Sequence, residues 1–258
     1  MLLVRDGRVG LDNPISQYIH DLPPTWESIT IRQLLSHTAG LPRESPVFEG
    51  TRPVADIEVI RGAYAVPLVS PPGAKYEYSN LGYYVVAEII TRVTGKPWVD
   101  YLAASVFTPG GIGPLFTTAT GRVNGRARGY SGNDNQDPAV DWAAVRPSGA
   151  FMMSIRRLAA WDTMLRTDTL LTARERQLMS TGVRLNDGST APYGLGWHVE
   201  QFSGHRYVWH GGGLPGFSAY FARFPDDRLT IVALSNGDDS DIGALIANVA
   251  LMSFPHQG

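Results

Sequence analysis

The sequence contains no cysteine, no long hydrophobic run and no large excess of charge of either sign. Without cysteine the chain can form no disulfide, no thiolate metal site and no cysteine nucleophile. A net charge of -2 provides no basic field that would attract nucleic acid or anionic lipid. We therefore expect a small-molecule partner and no nucleic-acid partner.

Targeting signals are also missing from the sequence. Within residues 1–7, two charged residues follow only three apolar ones, which is not the pattern of a secretory signal. No segment approaches the roughly 20 apolar residues that a membrane-spanning helix needs. For the chain as it stands we expect a cytoplasmic protein without a membrane span. A further segment upstream would make a periplasmic or secreted protein the expectation.

The histidines form no recognisable metal motif. Zinc-binding helices place two histidines one turn apart with a carboxylate nearby. No such pair occurs among the six histidines, which are His20, His37, His198, His205, His210 and His256. We expect no metal and no other cofactor.

Helical patterns dominate the first two thirds of the chain, whose overall composition, 43% hydrophobic and 18% charged, is typical of globular proteins. In residues 81–94 apolar side chains recur one turn apart, and Gly95 and Pro97 follow as stop signals. Shorter helical patterns occur at 28–35, 158–165 and 173–179. Either Ser28 or Thr30 can cap the first of these.

The periodicity changes to that of β-strands near the C-terminal end. Strand-type runs occupy residues 206–210, 217–224 and 229–234, and the last two are joined by a tight hairpin at 225–228. This order of elements predicts an α+β fold in a single domain spanning 1–258. Its expected parts are a helical region at about 11–180, a sheet at about 192–236 and a closing helix at about 241–253.

Tyr78 and Asn80 form the first candidate for chemistry. A tyrosine hydroxyl can shuttle protons when a nearby cation stabilises the phenolate. An asparagine two residues later can point the same way from a turn and donate to a substrate carbonyl. The alternative is that Tyr78 is a packing residue in a turn, since the three-residue pattern is short.

The second candidate is the glycine-rich stretch that begins at His210. Gly211, Gly212 and Gly213 lie between two predicted strands, where glycine lets a ligand approach the backbone. The amide of Gly213 could then donate to an oxyanion. The alternative is a glycine-rich hairpin turn in which His210 has no role.

The surrounding sequence resembles that of one known family in six blocks, which follow the family order over nearly the whole chain. The blocks are Leu-Asp-Asn-Pro at 11–14, Ile-Thr-Ile-Arg-Gln-Leu-Leu-Ser-His-Thr-Ala-Gly-Leu-Pro at 29–42, 72–83 around Tyr-Ser-Asn, Pro-Ser-Gly at 147–149, Tyr-Gly-Leu-Gly-Trp at 193–197 and 210–217. They identify the chain as a member of the serine β-lactamase and penicillin-binding-protein superfamily, in the class C β-lactamase-like group with family VIII esterases and D-aminopeptidases.

The resemblance assigns roles to these residues. Tyr78 would be the general acid/base, and Asn80 would hold the amide or ester part of the substrate. His210 would stand where lysine often opens the Lys-Thr-Gly motif, with Gly212 and Gly213 as further substrate-binding positions and Gly213 as an oxyanion donor. The implied substrate is a small ester, β-lactam or amide.

One element of that family is absent from this sequence. Its nucleophile is a serine three residues before a lysine, and no serine here has lysine at that spacing. In the family this helix comes shortly before a segment that residues 3–12 resemble, so we expect the N-terminal part of the domain, with two strands of the sheet, to be missing. Ser79 lies between Tyr78 and Asn80 but lacks a lysine partner.

Three hypotheses follow for the function. The first is a serine hydrolase that performs acyl-enzyme chemistry in its full-length form, with this chain inactive alone. The second is a non-catalytic binding or regulatory module that retains the cleft, and the third is complementation by another chain. The missing strands also predict an exposed sheet edge and homo-oligomers formed through it.

Overall fold

A computed structural model of the chain describes residues 1–114, 116–118, 123–132, 137–139, 142–149 and 151–254. In this described part the α-helices are α1 (Leu2–Arg5), α2 (Ile31–Leu35), α3 (Asp56–Gly62), α4 (Asn80–Thr94), α5 (Trp98–Leu102), α6 (Ile155–Arg166), α7 (Ala173–Met179) and α8 (Ile242–Ser253). A 3₁₀ turn covers Ile15–Gln17, and a π-helical turn covers Ala103–Phe107. No helix of these residues is long and apolar enough to cross a membrane.

The main sheet has four antiparallel strands in the order β5 (His198–Phe202), β6 (His205–Leu214), β7 (Phe217–Phe224) and β8 (Leu229–Ser235). Two small two-stranded sheets pair β1 (Phe116–Thr117) with β4 (Phe151–Met152) and β2 (Tyr130–Ser131) with β3 (Asp137–Pro138). The helices and antiparallel sheet confirm the predicted α+β fold.

The sheet differs from the sequence expectation in two places. Three strands were expected, and β5 is a fourth, formed by a short segment with weak alternation of buried and exposed residues. The glycines after His210 are not a turn, because β6 continues through them to Leu214 and pairs with β7 to the end. The turn itself comes at Pro215 and Gly216, where the φ of Gly216 is 77°.

Helix α4 carries the first candidate residues at its N-terminus. Ser79 caps it by accepting a hydrogen bond from the Gly82 amide, and Gly95 ends it with a φ of 71°. Its apolar stripe packs into the largest core cluster, where Leu81 and Val85 are fully buried. This packing fixes the position of the preceding residues, including Tyr78.

Helix α8 covers one end of the sheet. Ile246 and Ala250 are buried against β7, in the cluster that contains Phe224. Nevertheless, Leu245 and Met252 on the same helix are 54% and 77% exposed. Helix α8 therefore presents apolar surface to solvent beside β8, which among the described residues has a paired neighbour on one side only.

Candidate active site

A strained histidine organises the loop before α4. His37 has a φ of 57°, and its Nδ1 accepts a hydrogen bond from the Ser79 amide at 3.1 Å. The Tyr78 ring stacks on the His37 ring, with centroids 4.0 Å apart. Burial lowers the pKa of His37 to about 3, so the imidazole is neutral at physiological pH. His37 thus forms a hydrogen-bonded platform on which the Tyr78 ring stacks.

The structure brings the two candidate motifs together. The centroids of the Tyr78 and His210 rings are 6.2 Å apart, although 132 positions of sequence separate the two residues. Tyr193 lies against both, at 6.4 Å from Tyr78 and 6.1 Å from His210. The Arg43 guanidinium completes the group at 5.3 Å from the Tyr78 ring centroid.

The electrostatics of Tyr78 keep its hydroxyl protonated. Burial raises the pKa of Tyr78 above its usual value, and the positive charges of Arg43 and Arg146 oppose that effect only in part. A general base would need the opposite shift, which a close cation produces. In this chain Tyr78 is a hydrogen-bond donor at neutral pH.

His210 adds no positive charge to the site. Its Nδ1–H donates to the Gly211 carbonyl at 2.7 Å, and burial lowers the pKa of the imidazole. The side chain is therefore neutral at pH 7, unlike a lysine at the same place. His210 offers the unprotonated Nε2 as an acceptor.

The glycines after His210 lie along a strand edge that has room beside it. Strand β5 begins at His198, which lies opposite Trp209. Strand β6 extends beyond this point, and its residues 210–214 pair with β7 alone among the described strands. A Cβ atom added to Gly212 would meet nothing within 4 Å, and one on Gly213 only the Phe217 carbonyl oxygen at 4.0 Å. The described residues therefore leave space beside the backbone of Gly212 and Gly213.

Asn80 belongs to a polar group that the sequence motifs did not include. It is 8% exposed, and its Nδ2 donates to Oε1 of Glu44 at 2.5 Å. The same carboxylate oxygen accepts a hydrogen bond from Arg146. Glu44 lies two residues after Pro42, and Arg146 lies 102 residues after Glu44, so no local spacing could have linked them.

Ser79 cannot replace the missing nucleophile. It is 3% exposed, and its Oγ donates to the Pro42 carbonyl at 2.7 Å while accepting from the Gly82 amide. Helix capping and burial occupy its hydroxyl. Lys75, one of the two lysines of the sequence, pairs with Glu77 at 2.5 Å.

The described residues contain no group of three or more His, Asp or Glu side chains arranged to hold a metal ion. The histidines of the site are instead held in ring contacts. His198 stacks on Trp209 with centroids 4.0 Å apart, and burial lowers its pKa to about 4.

Comparisons with known proteins show the family of the chain. The family model described as Beta-lactamase matches residues 1–251. Penicillin-binding protein 4* of Bacillus subtilis is 26% identical over 93% of this chain and 58% of its own length. A D-aminopeptidase of Brucella anthropi is 29% identical over 70% of this chain and 35% of its own. The chain thus spans about half the length, or less, of these curated relatives.

Solved structures show the same fold. The octameric penicillin-binding protein homologue from Pyrococcus abyssi superposes with a TM-score of 0.83 at 23% identity, covering 98% of this chain and 62% of that one. The D-amino acid amidase from Ochrobactrum anthropi SV3 in complex with D-phenylalanine gives a TM-score of 0.80 at 23% identity. That match covers 98% of this chain and 86% of the amidase.

Proposed function

Because the chain belongs to the β-lactamase family, we propose that it carries the substrate-binding cleft of a serine hydrolase. The substrate is a small ester, β-lactam or D-amino-acid amide, and the names of a penicillin-binding protein and a D-aminopeptidase among the relatives support the last two. The observation that carries the proposal is the convergence of Tyr78 and His210 beside the open edge of β6. Tyr78 is the general acid/base, and Asn80, His210, Gly212 and Gly213 bind the substrate.

The full-length form of this hydrolase uses a serine that the present sequence does not contain. In that form the serine hydroxyl attacks the substrate carbonyl, the leaving group departs, and water hydrolyses the acyl-enzyme. A lysine beside the serine would also add a positive charge to those of Arg43 and Arg146, which lower the pKa of Tyr78. We therefore expect this chain alone to be inactive.

Covalent labelling tests this expectation directly. The 258-residue chain should show no stoichiometric labelling by a fluorophosphonate and no burst with p-nitrophenyl butyrate. Labelling of any serine at one per chain would contradict the proposal that the nucleophile lies outside these residues. Reading the DNA upstream of Met1 for an in-frame Ser-x-x-Lys is the complementary test.

A non-catalytic binding module is the second candidate. The raised pKa of Tyr78 and the neutral His210 favour it, since both describe a site that donates and accepts hydrogen bonds without a charged base. The two candidates differ in one measurement on the natural gene product. Ligand binding without fluorophosphonate labelling in that product would support the binding module.

We further propose that the chain self-associates through β8. This strand has no partner on its outer side in the described part of the sheet, and its sequence, Leu-Thr-Ile-Val-Ala-Leu-Ser, contains neither charge nor proline. Natural edge strands usually carry charged residues or proline, which prevent pairing with another strand. The exposed apolar side chains of α8 extend the same surface.

A further inference from the structure

One positive charge of the candidate cleft has no negative partner. Arg43 is exposed, and its guanidinium lies over the Tyr78 ring, 5.3 Å from the ring centroid. With the residues that the structure describes, this guanidinium forms no ion pair, and none of its N–H groups donates a hydrogen bond. Arg43 therefore places a charge beside the proposed general acid/base with its hydrogen-bond donors available.

The other charged groups near Tyr78 compensate each other. Besides Arg43, the charges of Arg146 and Glu44 shift the pKa of Tyr78, and they do so in opposite directions. These two side chains form an ion pair. His210 adds no charge, because burial lowers the pKa of its imidazole. The surroundings of Tyr78 thus carry a net positive charge, and Arg43 is its source.

The position of Arg43 is fixed at both ends of the residue. Its carbonyl oxygen accepts hydrogen bonds from the backbone amides of Asn80, at 2.9 Å, and Leu81, at 3.4 Å, which tie it to the N-terminus of α4. At the other end, the face of the Tyr78 ring attracts the guanidinium. That ring is held in turn by its stack on His37, with centroids 4.0 Å apart. A side chain restricted in this way loses less conformational entropy when a ligand binds to it.

A carboxylate is the ligand group that fits Arg43. A guanidinium binds a carboxylate through two parallel hydrogen bonds in addition to the attraction between the charges. The Tyr78 ring contacts both this guanidinium and the His210 ring, whose centroid is 6.2 Å away. A ligand with its reacting bond beside Tyr78 can therefore reach Arg43 with another part of the molecule.

We propose that Arg43 is a specificity-determining residue that binds a carboxylate of the substrate, separate from the reacting ester or amide bond. The cleft then prefers an anionic substrate to a neutral one of the same shape. This preference rests on the proposed function, because it requires the substrate to lie beside Tyr78. If Arg43 acted only on the Tyr78 hydroxyl, its removal would affect charged and neutral ligands alike.

Titration calorimetry with two ligands of the same shape tests the preference. N-succinyl-D-phenylalanine methyl ester carries a carboxylate, and its succinamoyl analogue carries a neutral primary amide in the same place. At neutral pH and low salt the unmodified chain should bind the first about fivefold more tightly, as expected for one solvent-exposed ion pair. The ratio should decrease with added salt, which screens such a pair.

Variants of Arg43 assign the preference to its guanidinium. In Arg43→Gln the ratio of the two affinities should fall to about twofold or less, because the charge is gone. Arg43→Lys should retain part of the ratio, since lysine keeps the charge without the paired donors. Arg156→Gln, which removes an exposed charge on α6, is the matched control and should leave the ratio unchanged.

The outcomes separate this proposal from the proposed function. Equal binding of the two ligands by the unmodified chain, or an undiminished ratio in Arg43→Gln, overturns the role of Arg43 and leaves the cleft in place. Failure of the unmodified chain to bind either ligand contradicts the proposed function and the preference with it. If Arg43→Gln does not fold, Arg43→Met, which keeps an unbranched side chain without the charge, carries the same expectation.

Discussion

One residue of the site, His37, is held in a conformation and a protonation state that reduce the stability of the fold. His37 adopts a left-handed backbone conformation, is 2% exposed, and leaves Nε2 without a hydrogen-bond partner among the described residues. A buried imidazole of this kind must stay neutral for the protein to remain folded. The acid sensitivity of the protein should therefore depend on this residue.

We expect His37 to destabilise the fold as the pH falls. Its pKa is about 3 in the folded chain and 6.5 in the unfolded chain, so only the unfolded chain binds the proton between these values. The free energy of unfolding should fall with decreasing pH in that window, by up to about 1.4 kcal/mol per pH unit. In His37→Asn the loss between pH 7 and pH 5 should be smaller by about 2 kcal/mol.

Urea unfolding at the two pH values measures this difference. Asparagine is a suitable replacement because it tolerates positive φ and can still accept from the Ser79 amide. His20→Asn, at an exposed position, is the control. Equal pH dependence in His37→Asn and the unmodified chain would contradict the expectation.

Two glycines should respond in opposite ways to the same substitution. A Cβ on Gly40, whose φ is 72°, would lie 2.0 Å from the Ser70 carbonyl oxygen, so Gly40→Ala should cost at least about 2 kcal/mol. Gly212→Ala meets nothing within 4 Å and should leave stability unchanged or raise it by about 0.5 kcal/mol. It should nevertheless weaken binding of N-acetyl-D-phenylalanine methyl ester. Urea unfolding and titration calorimetry measure the two effects, and a large loss of stability in Gly212→Ala would show that the edge is not open.

At the scale of elements, one carboxylate connects α6 to the sheet. Asp162 is 8% exposed and accepts from Arg223 on β7 at 3.0 Å and from Thr230 on β8 at 2.8 Å. It also accepts from Arg166 one turn along α6. Arg223 is 12% exposed, and burial lowers the pKa of its guanidinium while the charge of Asp162 opposes that effect.

Removing this carboxylate should loosen the contact between helix and sheet. Asp162→Ala leaves the Arg223 guanidinium without its partner, which should cost about 3 kcal/mol in the free energy of unfolding. Glu49→Ala, which breaks the solvent-exposed pair with Arg52, should leave the free energy of unfolding nearly unchanged. Denaturant unfolding of both variants measures these losses. Similar losses in the free energy of unfolding would show that the buried network around Asp162 does not stabilise the fold.

Elements with strong local signals were predicted well, and those without them were not. Helix α4 was expected at 81–94 and begins one residue earlier, at Asn80. The prediction was close because the apolar stripe, the serine cap and Gly95 all indicate the same helix. Strand β5 was missed because its five residues have little apolar alternation and form a strand only by pairing with β6. The glycines of β6 are strand for the same reason, since the pairing with β7 overrides their weak β-propensity.

At the scale of the whole molecule, the outer edge of β8, which pairs with no described strand, is the surface that favours association with another chain. Leu234 on this strand is 41% exposed, and Leu245 on the neighbouring α8 is 54% exposed. Helix α8 carries no charged residue between Ile242 and Ser253. A surface with these properties favours pairing with another strand over exposure to water.

We expect the chain to self-associate with increasing concentration, and Leu234→Lys to shift it toward the monomer. A lysine on an edge strand opposes pairing while its charge stays in solvent, so the melting temperature should change little. Leu178→Lys, at a 37% exposed position on α7, is the matched control and should leave association unchanged. Sedimentation velocity provides the measurement. A strictly monomeric unmodified chain at high concentration would contradict the assignment of this surface.

The sequence by itself determined the family, the α+β class and the candidate residues Tyr78, Asn80 and His210 to Gly213, because short motifs and helical periodicity are local properties of the chain. It also determined that no serine–lysine pair is present. Only the tertiary structure decided what surrounds these residues. Burial keeps Tyr78 protonated and His210 neutral, and Glu44 accepts hydrogen bonds from both Asn80 and Arg146, which are 66 positions apart. Burial and long-range pairing depend on how distant segments pack, which no local pattern contains.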